Sequence, residues 1–467
     1  MLTYQDFEKI KDDERERPNF ALRLINEHKS SADYKTAKEA DDYDRRQNTT
    51  IMQYRKMLRT ISGKLTEDNV SANFKLPSAF FPRFITQQNQ YLLGNGVSFA
   101  EQTDTIKKKL GKDFDARLQE CGRAALVHKV AFGFWNYDHL EVFKFPEFAP
   151  LLDEDTGALR AGVRFWHLAD NKPLRFTIYE VDGYQEYARN GDEDIVALSE
   201  KKAYITTARG DKRDKEENTQ IIDGKNYPNF PIVPLWGNPQ RQSELIGIRE
   251  AIDCYDLIKS GFANDLDEAS SFYWIIKNAG GMDDMDLVQF IERIKTVKAT
   301  AIDSEGGAAA EAHTMNIPYE ARRVALEQIK ADLYDDFQIV NVALLSAGSR
   351  TATEINAAYQ PMDNKVDQYE YCVLDFLDSI MQLAGVEGTP TFNRSKIVNQ
   401  LEQTQMVLMA ANFLDEEAVL NHIPWLTREE TQEILERKAE ADIQRFMAEV
   451  GPSPMEPLKK EPTEIEE

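Results

Sequence analysis

The chain is poor in cysteine, in positive charge and in long apolar runs. Its three cysteines, Cys121, Cys254 and Cys372, form no CxxC pair, and an odd number cannot all pair within one chain. They read as reduced core thiols of a cytosolic protein. Lys and Arg number 56 against 80 Asp and Glu, a net charge of −24. That deficit excludes a protein that grips nucleic acid by broad phosphate neutralisation, which needs clustered basic residues. It leaves room for one that lets nucleic acid pass. The uncharged stretches 339–349 and 406–414 fall short of the roughly 18 apolar residues of a membrane span. Met1 to Lys9 carries charge and no apolar core, so no signal peptide is expected. The protein reads as one made and used in water.

Catalytic signatures are missing too. The six histidines make no HExxH and no close pair, and neither GxxxxGK[ST] nor GxGxxG occurs. Ser62 and Ser260 stand beside glycine, and Ser346 two residues before one, without a GxSxG elbow. Asp283, Asp284 and Asp286 offer oxygen ligands for Mg²⁺, but they equally cap the helix that follows, and the cap is the reading adopted. No catalytic residue, metal ligand or cofactor is expected.

What is present is a packed chain: 42% hydrophobic and 10% aromatic, with 467 residues pointing to about three domains or one elaborate one. Residues 1–75 read as charged helices. The block Leu76 to Phe99 contains a helix with Pro82 in its first turn and Gly94 as its C-cap, and a second amphipathic helix runs from about Phe114 to Phe132. From Phe134 to Ile222, alternating runs beginning at Leu140, Val163, Arg175 and Ala203, separated by Asp/Gly turns, predict an antiparallel sheet of half-buried strands. The Pro-rich stretch 227–239 then punctuates the chain, and helices follow.

Three helices carry most information. The first has an apolar stripe (Leu245, Ile248, Ile252, Tyr255, Phe262, Leu266) and a separate polar one (Glu250, Asp253, Asn264, Asp267). The second runs from about Pro318 to Asn341, with Ala325, Ile329, Leu333, Phe337 and Val340 on one face. The third repeats Ile355, Tyr359, Met362, Val366, Tyr369, Val373, Phe376, Ile380 and Leu383 at spacings of four and three, which demands a long helix packed along one seam and kinked by Pro361. Between the first two lies a small αβ unit: a strand at 272–277, a helix at 285–297, a strand near 300–303 and a flexible Gly/Ala loop at 306–312. Helices at about 395–412, 415–423 and 427–450 precede a Pro- and Glu-rich tail that reads as disordered.

Several segments, in order, resemble the portal proteins of tailed bacteriophages of the siphophage type. Phe80 to Gly96, ending Tyr91-Leu-Leu-Gly-Asn-Gly, is similar to the family's YLLGNP segment. Phe230 to Asn238, Ser243-Glu-Leu and Ile252 to Asp265 resemble the entry into its first stem helix, and Ser349-Arg-Thr-Ala-Thr-Glu-Ile355 the opening of its long helix. Phe413 to Leu426 resembles its C-terminal region. Arg350 departs from the glycine common there, and the first 75 residues match poorly.

The resemblance implies an α+β, portal-type ring subunit. Its parts would be a strand-rich wing (1–242), stem helix 1 (243–271), an αβ clip (272–316), stem helix 2 (317–341), a tunnel loop (342–354), a long kinked wing helix (355–393), a helical crown (394–450) and a tail (451–467). It implies a non-enzymatic dodecamer at one capsid vertex of the virion, assembled in the host bacterial cytoplasm. Its partners would be further copies of itself, double-stranded DNA passing through the channel, the terminase large subunit, the major capsid and scaffolding proteins and a head-completion connector, with no membrane. Ser346, Ser349, Arg350 and Thr351 would line the tunnel loop, Arg350 touching phosphate. Glu250, Asp253, Asn264 and Asp267 would face the channel and repel phosphates so that the duplex slides. Two rivals stand beside this reading: an acidic coiled-coil scaffold or adaptor built on 355–383, and a metal-dependent nuclease using Asp283, Asp284 and Asp286.

Overall fold

The computed structural model describes residues 2–59, 64–68, 71–100, 103–169, 171–191, 193–208, 222–269, 273–277, 309–313, 318–346, 351–394, 407–411, 413, 415–421, 423, 426 and 428–450. They fall into two units: Met1–Val340 with Pro361–Ser395, and Asn341–Gln360 with Lys396–Glu467.

The larger unit opens with four helices, α1 (Tyr4–Glu8), α2 (Glu16–Ser30), α3 (Ala32–Asp44) and α4 (Thr49–Gln53). Ser31 separates α2 from α3 and caps both. Its hydroxyl accepts from Tyr34 N at 3.2 Å and donates to the His28 carbonyl at 2.7 Å. A short hairpin, β1 (Met57–Arg59) and β2 (Leu65–Glu67), interrupts the helical reading of this region.

Helix α5 (Phe80–Leu93) ends at Gly94 as the sequence predicts, and β3 (Val97–Phe99) follows. After α6 (Thr103–Leu110), α7 (Phe114–His128) stops four residues before its predicted end. Lys129, at φ 84°, turns the chain directly into β4 (Val130–Asn136). Six successive residues of β4 are buried, so alternation is absent and helix and strand cannot be told apart by period.

β4 is central in a three-stranded sheet, between β5 (His139–Lys144) and an edge strand inside the Pro-rich stretch, Ile232–Trp236. An edge position tolerates Pro234, whose missing N–H costs no central ladder bond. The second sheet is an antiparallel meander of five: β6 (Phe148–Leu152), β7 (Leu159–Trp166), β8 (Leu174–Glu180), β9 (Gly183–Arg189) and β10 (Val196–Ala197). Its apolar face takes Phe20, Leu24 and Ile25 of α2 against Val163, Phe165, Phe176 and Ile178. A further hairpin, β11 (Ile205–Ala208) and β12 (Ile222–Lys225), precedes the Ile232–Trp236 strand, which is β13.

Beyond it lie α8 (Arg249–Ala269), β14 (Tyr273–Lys277), β15 (Ala309–His313), α9 (Tyr319–Asp336), α10 (Val342–Ser346) and α11 (Ala352–Ala384). β15 pairs antiparallel with β14 from His313 to Ala309, so the Gly/Ala run read as a loop supplies a strand instead. Small side chains weaken strand propensity, but the main chain of β14 offers the partner that propensity ignores. The helix read at 285–297 and the strand at 300–303 lie outside the described residues.

The seam of α11 is borne out, with every seam position from Ile355 to Ile380 buried and Leu383 half-buried. Within the larger unit it crosses β4 closely enough that a Cβ on Gly133 would collide with the Phe376 ring. Tyr369 Oη donates to Asn89 Oδ1 at 3.0 Å, and Asn89 Nδ2 to the Gln119 carbonyl at 3.0 Å, tying α11, α5 and α7 together. The strand β16 (Pro390–Phe392) pairs with β3, and Arg394 beyond it reaches Asp367 at 2.5 Å, Asp363 at 3.5 Å and Glu370. The smaller unit contains α10, the start of α11, α12 (Glu416–Asn421) and α13 (Arg428–Val450).

Candidate stem helices and channel-loop residues

Helices α8 and α9 pack side by side, with β14 and β15 intervening in sequence. Arg322 of α9 forms an ion pair with Asp265 of α8. Burial on α9 rises toward its end, where Leu333 is buried and Tyr334, with Phe337 just beyond the helix, meets Phe80 and Phe84 of α5. The second helix stops at Asp336, five residues before its predicted end, with half-buried Ala325 and Ile329 and buried Leu333 on the predicted face; Phe337 and Val340, beyond the helix, are buried as well.

The polar stripe of α8 divides. Glu250 is exposed, its side chain at 74%, and Asp267 is exposed at the other end. Asp253 and Asn264 turn into the subunit. Asp253 accepts from Tyr43 Oη at 2.5 Å and Thr50 Oγ1 at 2.7 Å. Burial and this carboxylate together push the Tyr43 phenol up to about 12. Asn264 is buried and clasps the backbone of Phe74, accepting its N–H at 2.6 Å and donating to its carbonyl at 3.4 Å.

Asn264 is one rung of a ladder that stripe-reading missed. Ser260 Oγ accepts Leu76 N at 3.0 Å, and Asp256 Oδ1 accepts Ser78 N at 2.8 Å. Residues 256, 260 and 264 stand one per turn, about 6 Å apart along the axis. Alternate residues of an extended chain repeat every 6.6 Å or so, nearly the same distance. The two periods match over three rungs, and side chains of a helix do what a neighbouring strand would do. Asn48 adds a bond to Asp256 and one to the Ser78 carbonyl at 3.4 Å. Burial pushes the Asp256 carboxyl above its usual range despite these donors. The signal was available as Asp, Ser and Asn at spacings of four, but nothing in sequence names residues 74–78 as the partner.

Of the predicted tunnel-loop residues, Ser349 and Arg350 lie outside the described residues, and Ser346 is the last residue of α10. Thr351 has a local role as the N-cap of α11. Its Oγ1 accepts Glu354 N at 3.3 Å while Glu354 Oε2 accepts Thr351 N at 3.1 Å, a reciprocal capping box.

Asp283, Asp284 and Asp286 also lie outside the described residues. Among the described residues no group of three His, Cys, Asp or Glu side chains could hold a metal ion, and no helix is long and apolar enough to cross a membrane. His28 is buried, with Nε2 2.9 Å from the Phe145 carbonyl and its pKa lowered by burial. His128 sits 2.7 Å from Asp41. Only Cys121 is a fully buried thiol. Cys372 is half-buried and Cys254 is exposed on α8, contrary to the expectation of three core thiols.

The sequence profile described as "Phage portal protein, SPP1 Gp6-like" matches residues 25–444. The chain belongs to this portal protein family. Among its relatives, the portal protein of Clostridium phage phiCD119 is 27% identical over 227 residues, 46% of this chain and 50% of that one. The chain thus matches about half the length of that portal. The portal protein of Bacillus phage SPP1 is 21% identical over 379 residues, 74% of this chain and 72% of the relative. Among solved structures, the neck of the empty gene transfer agent particle has a chain 12% identical, TM-score 0.42, covering 73% of this chain and 88% of its own. The neck of the native particle, computed with C12 symmetry, has one 11% identical, TM-score 0.39, covering 74% and 90%.

Proposed function

We propose that this portal-family chain is the repeating subunit of a closed ring, dodecameric in the virion, at one capsid vertex. Family membership over residues 25–444 carries the reading. The ring is a passage: terminase drives double-stranded DNA through it during packaging, and the DNA leaves by the same route into the tail. Major capsid and scaffolding proteins surround it, and a head-completion connector seats on it. The subunit hydrolyses nothing, and assembly takes place in the host cytoplasm.

On this reading α8 and α9 are the stem, 272–316 the clip, 342–354 the tunnel loop, 355–393 the long wing segment, helical as far as Ala384, and 394–450 the crown, with residues 1–242 as the wing. Glu250 and Asp267 supply lumen charge that keeps phosphates from adhering. Asp253 and Asn264 have no part in it, being spent on the subunit's own packing. Ser349 and Arg350 approach the DNA, Arg350 as a contact that positions without reading sequence.

Native mass spectrometry with negative-stain top views of the purified chain tests the reading. A hollow ring of about twelve subunits is expected, since closed head-to-tail interfaces generate such rings. A stable dimer would overturn it in favour of the coiled-coil adaptor.

A further inference from the structure

Helix α8 stands between two unlike outer faces. On one side its residues 256, 260 and 264 hold the segment 74–78. Asp265, which holds Arg322 of α9, lies five residues beyond Ser260 and so about 140° farther round the helix. The chain around Phe74 and helix α9 therefore flank α8 on nearly opposite sides, each with a face turned outward.

The first face is apolar and basic. Met57 and Leu65 share one side of the β1–β2 hairpin, since Met57 lies opposite Glu67 and Leu65 opposite Arg59. Met52, Tyr54 and Phe74 adjoin it. Lys75 Nζ donates to the Met52 carbonyl at 2.6 Å, and Asp68 N to the Lys56 carbonyl at 2.8 Å. These five apolar side chains are each 44–57% exposed, and grouped exposure of this kind marks a contact surface where single exposed residues do not. Residues 52–75 carry Arg55, Lys56, Arg59, Lys64 and Lys75 against Glu67 and Asp68, an excess of positive charge in a chain of net −24.

The second face is acidic. On α9, Glu320, Val324, Glu327, Ala331 and Asp335 follow one another at spacings of four and three, all exposed, on the side away from Arg322, Ala325 and Ile329. Arg323 reaches Glu320 at 3.0 Å and Glu327 at 2.9 Å, so the stripe has three carboxylates to one guanidinium.

We propose that subunits join head to tail through these faces, the Met52–Phe74 patch of one copy lying on the outer stripe of α9 in the next. The inference rests on the ring reading and assigns its repeating contact. A closed ring repeats one heterologous contact, which needs two complementary faces on different sides of the subunit. Opposite charge sets the register, and burial of the apolar side chains supplies affinity. A two-fold dimer through either face would press like charge against like.

Charge reversal tests the pairing, with ring formation read by native mass spectrometry and sedimentation velocity. One variant carries Arg55→Glu and Lys75→Glu, the other Glu320→Lys and Glu327→Lys. Each alone is expected to need at least tenfold more subunit than the parent to form rings. An equimolar mixture of the two should form rings at the parent's concentration with equal numbers of each, because alternation restores opposite charge at every contact. A misfolded variant is not rescued in this way. Variants that each assemble like the parent, or a mixture that stays dissociated, overturn the proposal while the parent's own ring leaves the ring reading standing. A parent that forms no ring overturns both. If both variants assemble like the parent and only the first loses retention of duplex DNA, the patch serves nucleic acid and the proposal falls.

Discussion

Asp256 on α8 holds the backbone N–H of Ser78 at 2.8 Å in a site with no exposure at all. A further polar atom of the cluster, Asn48 Oδ1, has no partner there among the described residues. A buried carboxylate and an orphan amide oxygen thus share one small space at the head of the ladder. Burial dominates, raising the carboxyl pKa above the usual carboxylate value in the folded chain. A raised carboxyl pKa means the protonated form is the one the fold favours. Its contribution to stability is full below the unfolded value and is lost as pH rises through the folded one.

Asp256→Asn removes that loss. Rotating the Asn48 amide would give its orphan oxygen the N–H donor that the substitution introduces, while the new amide oxygen keeps the Ser78 N–H. A gain of about 1 kcal/mol at pH 7, fading toward pH 4, is expected in thermal melts. Asp256→Leu leaves the Ser78 N–H unmatched and lowers Tm at both pH values. An Asp256→Asn chain that melts below the parent at pH 7 would contradict this account.

Thr351 is predicted to act on stability and not on DNA. Thr351→Ala should cost roughly 1 kcal/mol by opening the capping box, and Thr351→Ser should restore it. Circular dichroism and melting of the purified chain read the change. Full stability with impaired packaging would return Thr351 to the tunnel loop.

Gly133 and Phe376 should behave as a coupled pair. Gly133→Ala forces a methyl group into the Phe376 ring and should cost about 1–3 kcal/mol. Phe376→Leu alone is destabilising, yet adding it to Gly133→Ala should cost far less than the sum. Additive losses in denaturant melts would mean that β4 and α11 do not meet there.

Reversing Glu250 and Asp267 to Lys should make assembled particles retain DNA, with retention falling steeply as salt rises. Salt-independent retention would remove both residues from the lumen. Arg350→Ala should leave assembly intact and impair packaging in a complementation assay. Unchanged packaging would rule out the phosphate contact.

The α11 seam, the caps of α5 and the strands from 139 to 189 could be read from residue order because each rests on neighbours along the chain. Period 3.5 or 2 and a glycine or proline at an end are local facts. Family membership was legible for the same reason, through short segments recurring in order. The fates of Asp253 and Asn264 were not. A helical wheel puts them with Glu250 and Asp267, and all four are equally polar.

Residue order alone thus settles most of the helices and strands, their succession and the family they belong to. Which polar side chains are spent inside the subunit is set by packing in three dimensions. That depends on residues 43, 50 and 74–78 arriving beside α8 from some 200 positions away, where their unmet N–H and O–H groups need buried acceptors. Local pattern carries no record of such a partner. The same holds for Ala309–His313, a strand only because β14 stands beside it.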